Sequence, residues 1–363
     1  MSKKKDITEI DKNFAGKSAD GRPLEWHSAD SAPFKVYGVK KNREGFFTRL
    51  PKELGENVND MVKALYANTA GGRVRFSTDS KYLCIRSVYN GYSCHPHMPA
   101  TGSGGFDLYC DQDEGSAFHR LFIPPTSHNG EYLFNVVKLS GEMRSYTLNM
   151  PLYADVGDLM IGIEPGARLC EGKEYRVKKP IVFYGSSITQ GGCASRPGNC
   201  YTAMIANELD ADHVNLGFSS GGLAEENMME YISGLEMSVL VYDYDHNAPN
   251  PEHLEKTHKR GFEIFRSRQP DTPVVFVSMP SWYSTSSKEY DGIGFMRRNN
   301  IYNTYIDALG SGDKNVCFVD GRSLFAGKER YACTVDGIHP NDLGMFKMAQ
   351  GIGDAIEFLW RKL

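Results

Sequence analysis

Near residue 178 the spacing of apolar residues changes from that of antiparallel strands to that of a covered parallel sheet, so the chain divides into two unlike layers of architecture. From about 33 to 166, alternating, β-branched and aromatic runs are punctuated by Gly, Asp, Asn or Ser at short intervals, which predicts a β-sandwich or jelly roll. Arg73-Val-Arg-Phe-Ser-Thr and Tyr82-Leu-Cys-Ile-Arg-Ser-Val flank Asp79-Ser80 and predict one hairpin. Phe106-Asp-Leu-Tyr-Cys, the turn Asp111-Gln-Asp-Glu-Gly and Ala117-Phe-His-Arg-Leu-Phe-Ile predict a second, with further short strands over 132–139, 145–149 and 159–163. Beyond 178, apolar runs at 181–184, 213–218, 238–244, 274–279 and 316–319 alternate with helix-length segments at 201–209, 224–232, 251–268, 295–309 and 343–362. That pattern predicts a three-layer α/β domain, whose ligands sit beyond the carboxyl ends of the strands. The 363 residues accommodate an extension over 1–30, a sandwich over 31–175 and an α/β domain over 176–363.

Charge and cysteine content narrow the function. Lys and Arg total 41 against 45 Asp and Glu, a net charge of -4, so no basic field draws in nucleic acid. No apolar run is long enough for a membrane span, and Met1-Ser-Lys-Lys-Lys is followed by no apolar export segment. The expectation is a cytoplasmic protein as written, or an exported one if a signal segment was removed. Eight cysteines are too dilute for a disulfide scaffold, and none has zinc-ligand spacing, so no metal or other cofactor is expected. Cys193 and Cys200 form a local pair, expected as reduced thiols rather than a disulfide.

Two strand ends and the loop before the last helix carry chemistry. Gly185-Ser186-Ser187-Ile188-Thr189-Gln190-Gly191-Gly192 puts hydroxyls where a strand becomes a helix, close to N–H groups that favour developing negative charge; the plain alternative is a helix cap. Asp336-Gly337-Ile338-His339-Pro340 places an acid three residues before a histidine, where it can hold Nδ1–H and leave Nε2 as a general base. Tyr242-Asp243-Tyr244-Asp245-His246-Asn247 delivers an amide that is either an oxyanion donor or an Asx turn ahead of Pro249.

Serine, asparagine and Asp-x-x-His in that order resemble the SGNH hydrolases, the GDSL-type esterases and lipases, over about 178–363. The family's Gly-Asp-Ser-Leu block is similar to Gly185-Ser186-Ser187-Ile188, which implies Ser187 as nucleophile, while Asp336 and His339 match the Asp-x-x-His block in full. The Gly-x-Asn-Asp block is matched only at Asn247, since Asp245 and Ala248 stand where glycine and aspartate are usual. The second block's glycine is replaced by Ser220, with Gly221 next, after Asn215-Leu-Gly-Phe-Ser. Gly105-Phe106-Asp107-Leu108-Tyr109 resembles the Gly-x-Asp-Leu-Tyr motif of a β domain that precedes some members. The resemblance implies a flavodoxin-like α/β/α hydrolase domain and a cofactor-free acyl transfer. Ser187 would attack an ester, His339 oriented by Asp336 would move the proton, and Ser187, Ser220 or Gly221 N–H groups with the Asn247 amide would hold the oxyanion. An acyl ester, with an acetyl group on a sugar as one form, is the implied substrate.

Rival readings remain open at this level. Gly217-Phe218-Ser219-Ser220-Gly221 is a literal G-x-S-x-G with Ser219 as an alternative nucleophile, but an acid and histidine three residues apart do not suit that fold. Asp243, Asp245 and Asn247 resemble a calcium loop, yet the sixth-position glycine is missing and Leu254 occupies the twelfth position. A catalytically idle glycan binder is the third reading; Tyr89, Tyr92, His95 and His97 in one loop would line a pocket or simply pack.

Overall fold

Residues 20–112, 115–280 and 288–362 are described by the structure, a computed structural model, with backbone alone over 288–291. The upstream half is a sandwich of two antiparallel sheets. One contains Glu25–Ser28, Val156–Ile163, Tyr82–Ser93, Ser127–Leu133 and Val137–Lys138; the other contains Leu169–Glu171, Lys35–Tyr37, Arg73–Thr78, Arg144–Asn149, Phe106–Gln112 and Gly115–Phe122. Their inner faces meet through Val74, Phe76, Leu83, Ile85, Phe106, Leu108 and Ile161, all fully buried. The sandwich therefore takes in Glu25–Ser28, which pairs antiparallel with Val156–Ile163, rather than starting at 31.

The second expected hairpin forms, with Phe106 opposite Phe122. The first does not. Arg73–Thr78 pairs with Arg144–Asn149, whereas Tyr82–Ser93 pairs with Val156–Ile163 in the opposing sheet. Asp79-Ser80 is thus a corner between sheets, held by Ser80 Oγ donating to Tyr82 O at 2.6 Å and Thr78 Oγ1 donating to Arg168 O at 2.8 Å. Both strands bury apolar side chains against each other across the sandwich, which the alternation pattern alone does not distinguish from pairing edge to edge.

Downstream, five parallel strands lie in the spatial order Ala211–Gly217, Val177–Gly185, Val239–Asp243, Val274–Val277 and Val316–Val319. This is the flavodoxin-like order, whose reversal point lies beside the first strand. Alternate residues of that strand point to opposite helical layers. Ile181 and Phe183 pack with Tyr201, Ile205, Met348 and Ile352 from the helices Tyr201–Glu208 and Asp342–Trp360. Val182 and Tyr184 pack with Met228, Leu254, Phe262 and Ile301 from Glu226–Ser233, Pro251–Arg268 and Lys288–Gly310. Leu50 and Val62, from the upstream half, complete this second layer. Among the described residues no helix is long and apolar enough to cross a membrane.

The two halves are joined by buried polar groups. Asp107 of the Gly-x-Asp-Leu-Tyr motif is fully buried; it accepts from Gly198 N at 2.8 Å, Arg196 Nη1 at 3.2 Å and Asn149 Nδ2 at 2.8 Å. Tyr109 Oη accepts from the same guanidinium, which also lies 4.0 Å from the Phe118 ring centroid. At Gly102 the backbones touch: a Cβ there would stand 2.1 Å from the carbonyl oxygen of Ala194. Arg49, also buried, donates to Asn68 O at 2.8 Å and Leu65 O at 2.7 Å on its own side and to Gly217 O across the junction. Asp107→Ala would leave the Gly198 N–H without its acceptor and the Arg196 guanidinium without its carboxylate, with Tyr109 Oη still bonded to it, a loss of about 3 kcal/mol. The thermal midpoint, measured by differential scanning calorimetry, is expected to fall by about 6 °C or more.

Candidate active site

Close packing at the strand ends creates the turn that carries Ser187. A Cβ on Gly185 would lie 2.1 Å from Thr189 Oγ1 and 2.3 Å from Asp243 O, and one on Gly217 would lie 2.2 Å from Gln190 N. Only hydrogen at these positions lets the short helix Ser187–Gln190 settle onto the neighbouring strands. Ser186, standing where the family pattern has aspartate, caps this helix. Its Oγ accepts from Ile188 N at 3.2 Å and Thr189 Oγ1 accepts from Ser186 N at 3.1 Å, a reciprocal capping box. Thr189 in turn donates to Asp243 Oδ2 at 3.2 Å, and Tyr201 Oη donates to the same oxygen at 2.8 Å.

His339 arrives from the last loop. Gly337, at φ 89°, turns the backbone so that Asp336 Oδ1 accepts from Ile338 N at 3.0 Å and His339 N at 2.7 Å. Asp336 Oδ2 lies 2.7 Å from His339 Nδ1, and His339 Nε2 lies 2.9 Å from Ser187 Oγ. The serine and histidine, 152 residues apart in sequence, are thus hydrogen-bonded. Burial raises the Asp336 pKa, but the His339 side chain and the two backbone donors outweigh it and bring the carboxyl down to about 2. Asn341 caps the helix Asp342–Trp360, and Asp342 accepts from Ser195 N and Asn199 Nδ2, both at 2.8 Å, tying the histidine loop to the segment that follows the serine turn.

The third strand end differs from expectation. Asn247 directs its amide hydrogens at Phe218 O, 2.8 Å, and Gly222 O, 3.1 Å, while Oδ1 accepts from Ser220 N at 3.1 Å. Gly221 N donates to Phe218 O at 3.0 Å. The Asn247, Ser220 and Gly221 donors expected to face an oxyanion are engaged with one another's loop in this arrangement, because the 218–222 backbone supplies acceptors at closer range. Ser187 N, in the first turn of its helix, belongs to the N–H groups that have no intrahelical acceptor. Ser220 holds φ 55°, the left-handed conformation that glycine adopts without penalty. Asp245 replaces the usual glycine for a reason visible here: it pairs with buried Arg297, Oδ1 to Nε 2.9 Å, and accepts from Met279 N at 2.8 Å. These bonds explain the Asp243–Asn247 acids as structural.

Of the remaining sequence candidates, Ser219 Oγ is 2.9 Å from Tyr153 Oη and Ser219 N donates to Gln190 Oε1 at 3.1 Å. No histidine is hydrogen-bonded to Ser219 among the described residues. Tyr89 and Tyr92 are buried in the sandwich, donating to Gly104 O and Ala100 O. His97 alone of that loop reaches the serine site, its ring centroid 5.6 Å from that of His339. Cys193 and Cys200 are both free thiols; Cys200 Sγ lies 3.5 Å from Thr189 O. Burial pushes the Cys193 thiol up to about 12, so it is no rival nucleophile at neutral pH.

Comparison with known proteins follows this geometry. Residues 178–357 match the profile of the GDSL-like lipase/acylhydrolase family, and residues 24–169 match that of the N-terminus of SGNH-hydrolase-type esterases. The chain belongs to the GDSL-like lipase/acylhydrolase family. A solved structure described as a GDSL-like lipase from Bacteroides ovatus superposes with a TM-score of 0.83 at 25% identity, covering 93% of this chain and 98% of that one. A salicylyl-acyltransferase from a tetracycline biosynthetic pathway shares the fold at TM-score 0.74 and 19% identity, covering 91% of this chain and 95% of that one. A family two carbohydrate esterase from Clostridium thermocellum, in complex with cellohexaose, does so at TM-score 0.62 and 16% identity, over 91% and 100%. No curated protein matches the chain.

Three groups of this GDSL-like hydrolase escaped sequence reasoning. Tyr153, from the sandwich side, donates to Ser187 O at 3.1 Å; burial raises its pKa, keeping it a donor. Gln190 bridges Asn68 Oδ1 and Leu152 O, both at 3.1 Å. Asp342 reads as an ordinary acid in a helix first turn, and nothing in its neighbours marks Ser195 as its partner. Beneath the serine turn, burial raises the Asp243 pKa to about 7, against the lowering effect of Tyr201 and Thr189, with the Asp245 charge raising it further. Since 3.8 is the ordinary value, the folded state holds an extra proton between about pH 4 and pH 7. This contribution to stability is full below pH 4 and lost as pH rises through 7. Asp243→Asn is therefore expected to raise the thermal midpoint relative to the parent more at pH 8 than at pH 5, measured by a melting series across that range.

Proposed function

We propose that this chain hydrolyses acyl esters through Ser187, His339 and Asp336. The observation that carries the reading is the unbroken hydrogen-bonded run from Ser187 Oγ through His339 to Asp336, 2.9 Å and 2.7 Å. Ser187 attacks the ester carbonyl while His339 Nε2 accepts its proton; His339 then donates that proton to the departing alcohol, leaving an acyl-serine. Water repeats the exchange, releasing the acid and restoring Ser187. Asp336, ionised down to about pH 2, holds the His339 tautomer that leaves Nε2 free and balances the imidazolium charge. The Ser187 N–H is the oxyanion donor we assign first; Ser220 N joins it on leaving Asn247 Oδ1, and the Asn247 amide on turning away from Phe218 O and Gly222 O.

A short acyl group, such as acetyl, on a carbohydrate is the substrate class we assign. It is in keeping with the family and with the cellohexaose-bound carbohydrate esterase that shares the fold. Ser187→Ala is expected to lower turnover of p-nitrophenyl acetate and acetylated xylose by about 10⁴-fold or more and to abolish fluorophosphonate labelling, with Ser219→Ala close to the parent. Full activity in Ser187→Ala would overturn the assignment. Asp336→Asn is expected to cost about 10⁴-fold in kcat by holding the wrong tautomer, with the parent melting curve as a control for folding.

A further inference from the structure

Three segments bring soft metal donors to one point beside the serine. His97 comes from the sandwich loop and is exposed; Cys193, buried at φ 70°, follows the serine turn; His339 comes from the last loop. One ring nitrogen of each histidine and the Cys193 sulfur all lie within 4.8 Å of one another. The Cys193 thiol is 3.5 Å from the His97 carbonyl oxygen, which keeps the sulfur next to that loop. Of the His339 nitrogens, Nδ1 is held by Asp336 at 2.7 Å and Nε2 faces Ser187 Oγ at 2.9 Å, so an ion that takes His339 takes Nε2 from the serine. A carboxylate on the far nitrogen is the arrangement that orients metal-binding imidazoles and raises their basicity.

We propose that His97, Cys193 and His339 form a binding site for a thiophilic divalent cation of the zinc type, and that occupancy switches off hydrolysis at Ser187. Two imidazoles and a thiolate select zinc over magnesium or calcium, which take oxygen ligands. Tetrahedral zinc, with bonds of about 2.0–2.3 Å, needs donors roughly 3.3–3.7 Å apart. Donors already within 4.8 Å of one another reach that spacing by small side-chain rotations, for which the exposed His97 has the most room. On binding, the cysteine proton is released to solvent and the Nε2 lone pair goes to the metal. That lone pair is then no longer available to accept the Ser187 proton from 2.9 Å away. The inhibitory half of the proposal rests on the catalytic reading above; the binding half does not.

The test uses the full chain with Co²⁺ and Zn²⁺ as probes. Co²⁺ is expected to give a thiolate-to-metal charge-transfer band that Cys193→Ser lacks and His97→Ala weakens. In calorimetric titration both variants are expected to lose Zn²⁺ affinity by at least about tenfold. On p-nitrophenyl acetate, Zn²⁺ should inhibit reversibly, with EDTA restoring activity, and Cys193→Ser should keep the metal-free rate while needing at least about tenfold more Zn²⁺ for the same inhibition. An unchanged band and affinity in both variants would overturn the site. A Cys193-dependent band in a protein that hydrolyses no ester would uphold the site and sink the hydrolase reading instead. Zn²⁺-stimulated hydrolysis would overturn the switch.

Discussion

The site depends on how closely the parallel strands and the serine turn approach one another. At Gly185 and Gly217 the backbone of one element occupies the space a side chain would need, with prospective contacts of 2.1–2.3 Å. That approach seats the helix Ser187–Gln190 at the reversal point of the sheet, between the ends of strands Ala211–Gly217 and Val239–Asp243. The placement of the partly buried Ser187 hydroxyl against His339 and the capping role of Ser186 both follow from the same sharp turn. The buried Asp243 carboxyl, lodged under Thr189 and Tyr201, is part of this seat rather than of the chemistry above it.

The sandwich is structurally part of the hydrolase. Asp107 and Tyr109 grip Arg196 and Gly198, Gly102 lies against Ala194, and Tyr153 reaches Ser187 O. All of these partners fall between Ser187 and the helix Tyr201–Glu208, so the upstream half braces the segment that begins with Ser187. Arg49 does the same for the 215–217 strand end, where it donates to Gly217 O while its guanidinium lies 4.3 Å from the Phe218 ring centroid. A backbone carbonyl cluster around a buried guanidinium is directional, and it aligns the two halves more narrowly than apolar packing alone does.

Much of this was legible beforehand where local chemistry and global role agree. The five parallel strands and the helix Pro251–Arg268, with Asn250 as its cap and proline at its first position, lie where apolar runs and end signals put them. The Asp336–His339 contact was legible because both groups lie on one short loop. The hairpin expected over 73–88 was not, since the alternation of Arg73–Thr78 and Tyr82–Ser93 states which face is buried and not which strand lies alongside. The hydrogen bonds of the Asn247 amide were not legible for a related reason: its carbonyl partners, Phe218 and Gly222, are 29 and 25 residues away, and no residue type marks a backbone oxygen as an acceptor.

By itself the amino-acid order determined the two sheet types, the family and the Asp336–His339 loop contact, because periodicity, glycine placement and a three-residue spacing are local properties of the chain. Only the tertiary structure decided that Ser187 and His339 meet at 2.9 Å and that Ser219 faces a tyrosine instead. It alone placed His97 and Cys193 beside them. The first two contacts join residues 152 and 66 apart and His97 meets His339 across 242, separations that are set by how the sandwich and sheet pack and by the groups each loop happens to meet.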